Sequence, residues 1–127
     1  MGAYATGSPL LQPEGVSGTV TLAAANTPYN LLALIQAQLD PNCSGAGQEV
    51  NIQTDASAGV YVGQPSPVSG LLSSTNYGYY LAPASGTASP QGASRTYRSS
   101  FPGNNSPVGR LYVLSTAANT TIHIEVN

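Results

Sequence analysis

The residue types that most often carry out catalysis are scarce in this sequence. His123 is the only histidine, and it stands two residues before Glu125 in an alternating segment, so the two side chains share one face of a predicted strand. Such a pair can orient a proton acceptor for a nucleophile, but it is more often a pair of solvated neighbours. Cys43 is the only cysteine, which excludes an internal disulfide, and no base stands near it in the sequence. We therefore expect no catalytic residue and no enzymatic activity.

The acidic residues are too dispersed to predict a metal or cofactor site. Metal sites need His, Cys and carboxylate clusters at fixed spacing, and a glycosidase needs two carboxyl groups beside one bond. Gly45-Ala46-Gly47 lacks the residues that complete a phosphate-binding loop. We expect no metal ion and no cofactor, with the carboxylates spread along the chain at Glu14, Asp40, Glu49, Asp55 and Glu125.

Tyrosine is the residue type that indicates binding. The chain has eight tyrosines, one phenylalanine and no tryptophan. Tyrosine buries a large area at low entropic cost and keeps a hydrogen-bonding tip, so it favours interfaces, although it also fills the edge of a core. The candidate contact residues are the clustered tyrosines, those predicted to point away from the core, and three residues near the N-terminus: Tyr77, Tyr79, Tyr80, Tyr61, Tyr112, Tyr4, Leu10 and Leu11.

Charge is sparse, and this excludes some partners. Charged residues make up 6% of the chain, against a typical ~25%. There is no lysine, and about a third of the chain is Ser, Thr, Asn or Gln. A net charge of -2 argues against nucleic acid, and no apolar run approaches the ~20 residues of a membrane span. We also expect no signal peptide. A protein held inside an assembly needs less charge than a free monomer does.

Alternating segments predict a single mainly β domain. The predicted strands are short, and turn residues separate them. The segments 49–55 and 58–63 read as one hairpin, and 110–115 with 120–126 as a second, closing hairpin. This pattern favours an antiparallel β-sandwich or barrel that is jelly-roll-like. The remaining predicted strands span residues 16–22 and 77–82, with one more near 95–98.

One helix, two long loops and an arm complete the predicted architecture. Apolar spacing over 30–39 predicts one short helix that Asn30 caps. Residues 1–15 form an N-terminal arm, read equally well as a frayed terminus or as an extended segment that docks on a neighbouring subunit. Residues 16–127 form the domain, with long loops at 64–76 and 84–109 that are unusual enough to indicate a purpose.

Three stretches resemble the capsid decoration (cement) proteins of tailed bacteriophages. Residues 20–35 are similar to their opening strand and leucine-rich segment. The segments 50–55, 60–63 and 80–83 are similar to their central sheet, and 111–126 to their closing hairpin. The loops at 64–76 and 84–109 have no counterpart in this resemblance.

The resemblance implies a virion structural protein. It would lie on the outer surface of an icosahedral capsid as a homotrimer or dimer, bind across subunits of the major capsid protein and stabilise the shell. The arm and the long loops are the expected contacts, because several modest contacts add up when one subunit bridges several neighbours. Two alternatives remain open: a tail, collar or fibre-base component, and a carbohydrate-binding module in which exposed tyrosines stack on sugars.

Overall fold

Eight strands and two helices are present in the computed structural model, which describes residues 15–45, 49–65, 67–68, 70–85, 91–98 and 107–127. The predicted arm, with Tyr4, Leu10 and Leu11, lies outside the described residues except for Gly15. In chain order the elements are β1 Val16–Leu22, β2 Tyr29–Asn30, α1 Leu31–Gln38, β3 Glu49–Thr54, β4 Val60–Gly63, β5 Tyr79–Leu81, β6 Ser94–Arg98, α2 Pro107–Arg110, β7 Tyr112–Leu114 and β8 Thr120–Val126.

The strands form two antiparallel sheets with the order of a jelly roll. The first sheet has the order β1-β8-β3-β6, and the second has the order β2-β7-β4-β5. Across both sheets β1 pairs with β8, β2 with β7, β3 with β6 and β4 with β5. These nested pairs are what results when one long hairpin is rolled into a double-layered sandwich. The predicted fold class, a mainly β antiparallel sandwich, is confirmed, and the strand order identifies the sandwich as a jelly roll.

The core lies between the two sheets. Strands alternate buried and exposed residues, as a sheet with one packed face requires. In β8 the apolar residues Ile122, Ile124 and Val126 are buried while His123 and Glu125 are exposed. Helix α1 adds Leu31, Leu34 and Ile35 to the same cluster. The alternation in the sequence therefore identified the packed faces correctly.

Both predicted hairpins are wrong, because the chain crosses between sheets at each turn. β3 belongs to the first sheet and β4 to the second, and β7 and β8 are divided in the same way. Two strands that lie in different sheets and pack face to face show the same alternation of buried and exposed residues as two strands that are hydrogen-bonded in one sheet. Buried hydroxyls mark the crossings: Thr54 Oγ1 donates to the Ala82 carbonyl at 2.6 Å, and Thr120 Oγ1 donates to Ser115 Oγ at 2.7 Å.

Helix α1 begins where the sequence predicted and protects a sheet edge. The Asn30 side chain accepts a hydrogen bond from the Ala33 backbone N–H at 3.0 Å, which caps the helix. The Gln38 amide binds both backbone groups of Thr21, at 2.8 and 2.9 Å. Because Thr21 lies on the edge strand β1, Gln38 supplies the partner that another strand would otherwise provide.

The prediction of a single helix is wrong. A second, four-residue helix, α2, runs from Pro107 to Arg110, across the end of the predicted 84–109 loop and the first residue of the predicted strand 110–115. Its Pro107 and Val108 are buried, and the Leu111 N–H donates to the Pro107 carbonyl at 3.0 Å. One turn of helix is too short to give an apolar periodicity, so the sequence pattern did not reveal it.

Candidate interaction surface

Strands β4 and β5, with the segment just before β5, bring three tyrosine rings together on the outer face of the second sheet. Tyr61 and Tyr80 are directly opposite in the β4–β5 register. Their ring centroids are 4.6 Å apart, and the centroids of Tyr61 and Tyr77 are 4.7 Å apart with an interplanar angle of 63°. Offset and edge contacts of this kind stabilise aromatic pairs. Tyr61 is half-buried at the centre, so the other two rings are held in place on the surface.

This outer face, with Tyr61, Tyr77, Tyr80 and Tyr112, is called the tyrosine face below. Tyr112 lies opposite Gly63 in the β4–β7 register and is half-buried. It therefore shares the face with Tyr61, which is two residues before Gly63. No ring contact joins Tyr112 to the other three tyrosines. The structure thus brings together Tyr61, Tyr77 and Tyr80 and places Tyr112 beside them.

The loop between β4 and β5 folds back onto the sheet and exposes the apolar side chains of Val68 and Leu71. Leu72 is buried, and its Cδ1 would lie 3.0 Å from a Cβ at Gly63, so the two segments pack closely. The Asn76 amide donates to the Leu71 carbonyl at 2.9 Å, and a β-bridge joins Ser73 and Asn76. The loop is therefore an ordered structure at residues 70–76.

The exposed apolar surface is concentrated in one short stretch of the chain. Among the described residues, all large hydrophobic side chains that are exposed fall between residues 68 and 80. Scattered apolar residues are normal on a surface, but a group of them marks an interaction site. The exposed fractions are 97% for Val68, 75% for Leu71, 46% for Tyr77, 46% for Tyr79 and 41% for Tyr80.

Tyr79 does not belong to the tyrosine face. It pairs with the fully buried Val62, so its side chain is on the inner side of β5. There it contacts Arg95 of β6, whose guanidinium carbon lies 4.1 Å from the Tyr79 ring centroid. We call the space around Tyr79, Arg95 and Tyr97 the edge cleft, because β5 and β6 are the edge strands of their sheets.

Sequence reasoning missed four residues of these surfaces. Val68 and Leu71 stand in a segment rich in Ser, Pro and Gly, and apolar residues in so polar a loop were a usable signal. Arg95 and Tyr97 alternate along β6, but the register with β3 is needed to place them. Ile52 opposite Arg95 and Val50 opposite Tyr97 are both fully buried, which puts these two side chains on the inner side.

The histidine has a carboxylate partner, but it is Asp55 rather than Glu125. His123 Nε2 lies 3.5 Å from Asp55 Oδ2, and Nδ1 lies 3.3 Å from Thr19 Oγ1. Ser57 Oγ donates to Asp55 Oδ1 at 2.6 Å. The carboxylate therefore stands between the serine and the histidine, whereas a catalytic triad requires the histidine between the other two.

Asp55 has a lowered pKa that follows from these contacts. Partial burial by itself raises the pKa of the carboxyl group. The hydrogen bonds from Ser57 and the nearby His123 outweigh this effect and bring the pKa below its ordinary value. The cluster is thus a hydrogen-bonded turn with a partly exposed contact between a carboxylate and an imidazole.

No other cluster with catalytic or ligating character occurs in the described part of the chain. No three His, Cys, Asp or Glu residues lie close enough there to hold a metal ion. Cys43 is buried in the loop after α1. None of the helices among these residues has the length and apolar character needed to span a membrane.

Comparisons with known proteins add no relative to these observations. Neither the protein-family models, nor the curated proteins, nor the solved structures contain a match to this chain.

Proposed function

We propose that this protein is a bacteriophage virion structural protein that decorates and stabilises the icosahedral capsid. It would lie on the outer surface of the shell as a homotrimer or dimer and bind across subunits of the major capsid protein. The observation that carries the proposal is the concentration of exposed large apolar side chains within residues 68–80. The exposed Val68 and Leu71 of this segment, with the tyrosine face, form the contact surface that we propose for the shell; Tyr79 lies in the edge cleft and is not part of it.

The chemistry of this segment suits contact with another protein. Tyrosine is enriched at the centres of interfaces, where truncation of a single residue can remove much of the binding energy. Tyr77 and Tyr80 are held by Tyr61, so little entropy is lost when they are covered. The loop adds the exposed apolar side chains of Val68 and Leu71 in the same short segment of the chain.

Composition and fold are consistent with this proposal. A chain with 6% charged residues has little electrostatic repulsion between copies, which suits dense packing on a shell. Jelly rolls occur in viral capsid proteins, but also in lectin domains. A fold by itself does not imply a function, so the resemblance to decoration proteins and the exposed segment carry more weight than the topology.

The decisive experiment is the copy number per particle, measured by mass spectrometry or cryo-electron microscopy of purified virions. Hundreds of copies spread over the head would establish decoration. A dozen or fewer at one vertex would instead assign the protein to the tail, collar or fibre base. Absence from particles would contradict the proposal and favour the carbohydrate-binding alternative.

The arm hypothesis has its own test. Deletion of residues 1–15 should abolish binding to shells, while the circular dichroism spectrum and the thermal unfolding of the domain stay unchanged. Binding that is unaffected by the deletion would contradict a docking role for the arm and would leave the tyrosine face and its loop as the contact.

A further inference from the structure

The edge cleft places an exposed positive charge at the open edge between the two sheets. Arg95 and Tyr97 come from β6, and Tyr79 comes from β5. Each pairs with a fully buried residue of the adjacent strand, so all three project into the space between the sheets. Arg95 is exposed at this edge, so its guanidinium is accessible to a molecule that enters the cleft.

Aromatic contacts hold the guanidinium, and no carboxylate of the described residues pairs with it. Its central carbon lies 4.1 Å from the centroid of the Tyr79 ring and 5.2 Å from that of Tyr97. Burial raises the pKa of Tyr97, and Arg95 acts against this increase. The ion pairs among the described residues are Arg98 with Glu49 and His123 with Asp55, so no carboxylate of that part of the chain pairs with Arg95.

A pocket of about 300 Å³ opens beside this arginine. Its walls include the apolar Val62 and Leu111, the backbone of Gly63 and Gly78, and the Gln64 amide. The volume is at the lower end of the range for small-molecule sites, which combine apolar walls with a few convergent polar groups. It suits one six-membered ring with substituents rather than a long chain.

We propose that the edge cleft binds a sugar acid, such as a hexuronic acid. The paired N–H donors of the Arg95 guanidinium are suited to bidentate recognition of the sugar carboxylate. Arg95 lies over one face of the Tyr79 ring, and the part of this 46% exposed residue that Arg95 does not cover can contact the apolar face of the sugar ring. The Gln64 amide and the Tyr97 hydroxyl are the polar groups available to the sugar hydroxyls. This proposal does not rest on capsid decoration, because the cleft lies on the inner side of β5 and the tyrosine face on its outer side.

The test is a titration of the full-length protein followed by two-dimensional NMR and calorimetry. The probes are galacturonate and glucuronate, their neutral counterparts galactose and glucose, acetate, and a short peptide with one glutamate. We expect one or both uronates to bind at least about ten-fold more tightly than the neutral sugars and acetate, because a charge-assisted bidentate contact adds this much.

Variants locate the site. Arg95→Gln should weaken uronate binding by about ten-fold or more. Tyr79→Ala should weaken the binding of both the uronates and the neutral sugars. Arg98→Gln is the matched control, because Arg98 lies on the opposite face of β6 and pairs with Glu49 at 2.7 Å. Tyr97→Phe removes only a hydroxyl and serves as a second variant if Arg95→Gln fails to fold.

Several outcomes would overturn the proposal. The first is the absence of uronate binding at concentrations up to about 50 mM, since a dissociation constant above this value is far weaker than that of most specific sites. The second is equal affinity for acetate and the uronates. The third is an equal loss of uronate affinity in Arg95→Gln and Arg98→Gln. Binding of the glutamate peptide without binding of uronates would also overturn it, and would assign the cleft to a protein carboxylate.

Discussion

The outer face of the first sheet presents Thr19, Thr121, His123 and Asn51, whereas the outer face of the second presents Tyr61, Tyr80 and Tyr112. Both faces arise from the same alternation, and both sheets bury valine, isoleucine and leucine on the inner side. The difference in residue type between the two outer faces is thus independent of core packing. We relate it instead to what each face contacts, which is water or another surface.

Side chains on the first face bind one another laterally. The Asn51 amide donates to Thr96 Oγ1 at 2.8 Å, and Arg98 pairs with Glu49 at 2.7 Å. On the tyrosine face the rings of Tyr61, Tyr77 and Tyr80 contact one another instead, and Tyr77 and Tyr80 remain exposed. A face of small polar residues is stable in water by itself. A face of tyrosines gains free energy when another surface covers it.

The largest expected difference between the faces concerns shell binding. We expect Tyr77→Ser combined with Tyr80→Ser to weaken binding to purified shells by about 100-fold, because exposed tyrosines at an interface centre often cost 2 kcal/mol or more when truncated. Co-sedimentation over a range of protein concentrations measures the loss. Gln53→Ala combined with Glu125→Ala on the first face is the control and should bind normally. Equal losses in both double variants would refute the assignment of the contact to the tyrosine face.

The second prediction concerns stability within the tyrosine face. Tyr61→Ala should lower the free energy of unfolding by about 2 kcal/mol, because it removes a half-buried ring and two aromatic contacts. Urea unfolding measures this value. Tyr112→Ala on the same face is the comparison and should cost less, since Tyr112 has no ring contact with the other three. Similar costs for both variants would show that the stacking adds little.

The third prediction concerns pH and the first face. Because the pKa of Asp55 is lowered by folding, its contribution to stability is present above the ordinary aspartate pKa of about 4 and is lost as the pH falls through the folded value. Asp55→Asn should remove this part of the acid sensitivity at a cost below about 1 kcal/mol near neutral pH. Thermal unfolding between about pH 2 and pH 7 tests this. An unchanged pH profile in the variant would contradict it.

The smallest expected effect belongs to the ion pair between β3 and β6. The Arg98 side chain is 76% exposed, and pairs of this kind contribute about 0.5 kcal/mol or less, which salt screens. Arg98→Gln should therefore leave the urea midpoint almost unchanged, with any difference disappearing in high salt. A large destabilisation would mean that the first face depends on charge more than its composition indicates.

Local pattern in the sequence was enough to locate most of the elements. The strands β1 and β8 and the cap of α1 were predicted at their observed positions, because period-two alternation and an Asn before an apolar helical run are local signals. The outward positions of Tyr61 and Tyr112 followed from the same alternation. The two-residue strand β2 and the single turn of α2 are too short to show any period.

Pairing between distant strands was decided only by the tertiary structure. The sequence determined which residues of β3, β4, β7 and β8 face the core, but a hairpin and a crossing between sheets have the same alternation and the same turn residues. The jelly-roll order, the contact between Tyr61 and Tyr77 and the position of Arg95 between Tyr79 and Tyr97 all depend on these pairings. Alternation is a property of one strand and its neighbouring residues, whereas register and sheet membership depend on contacts among residues far apart in the chain.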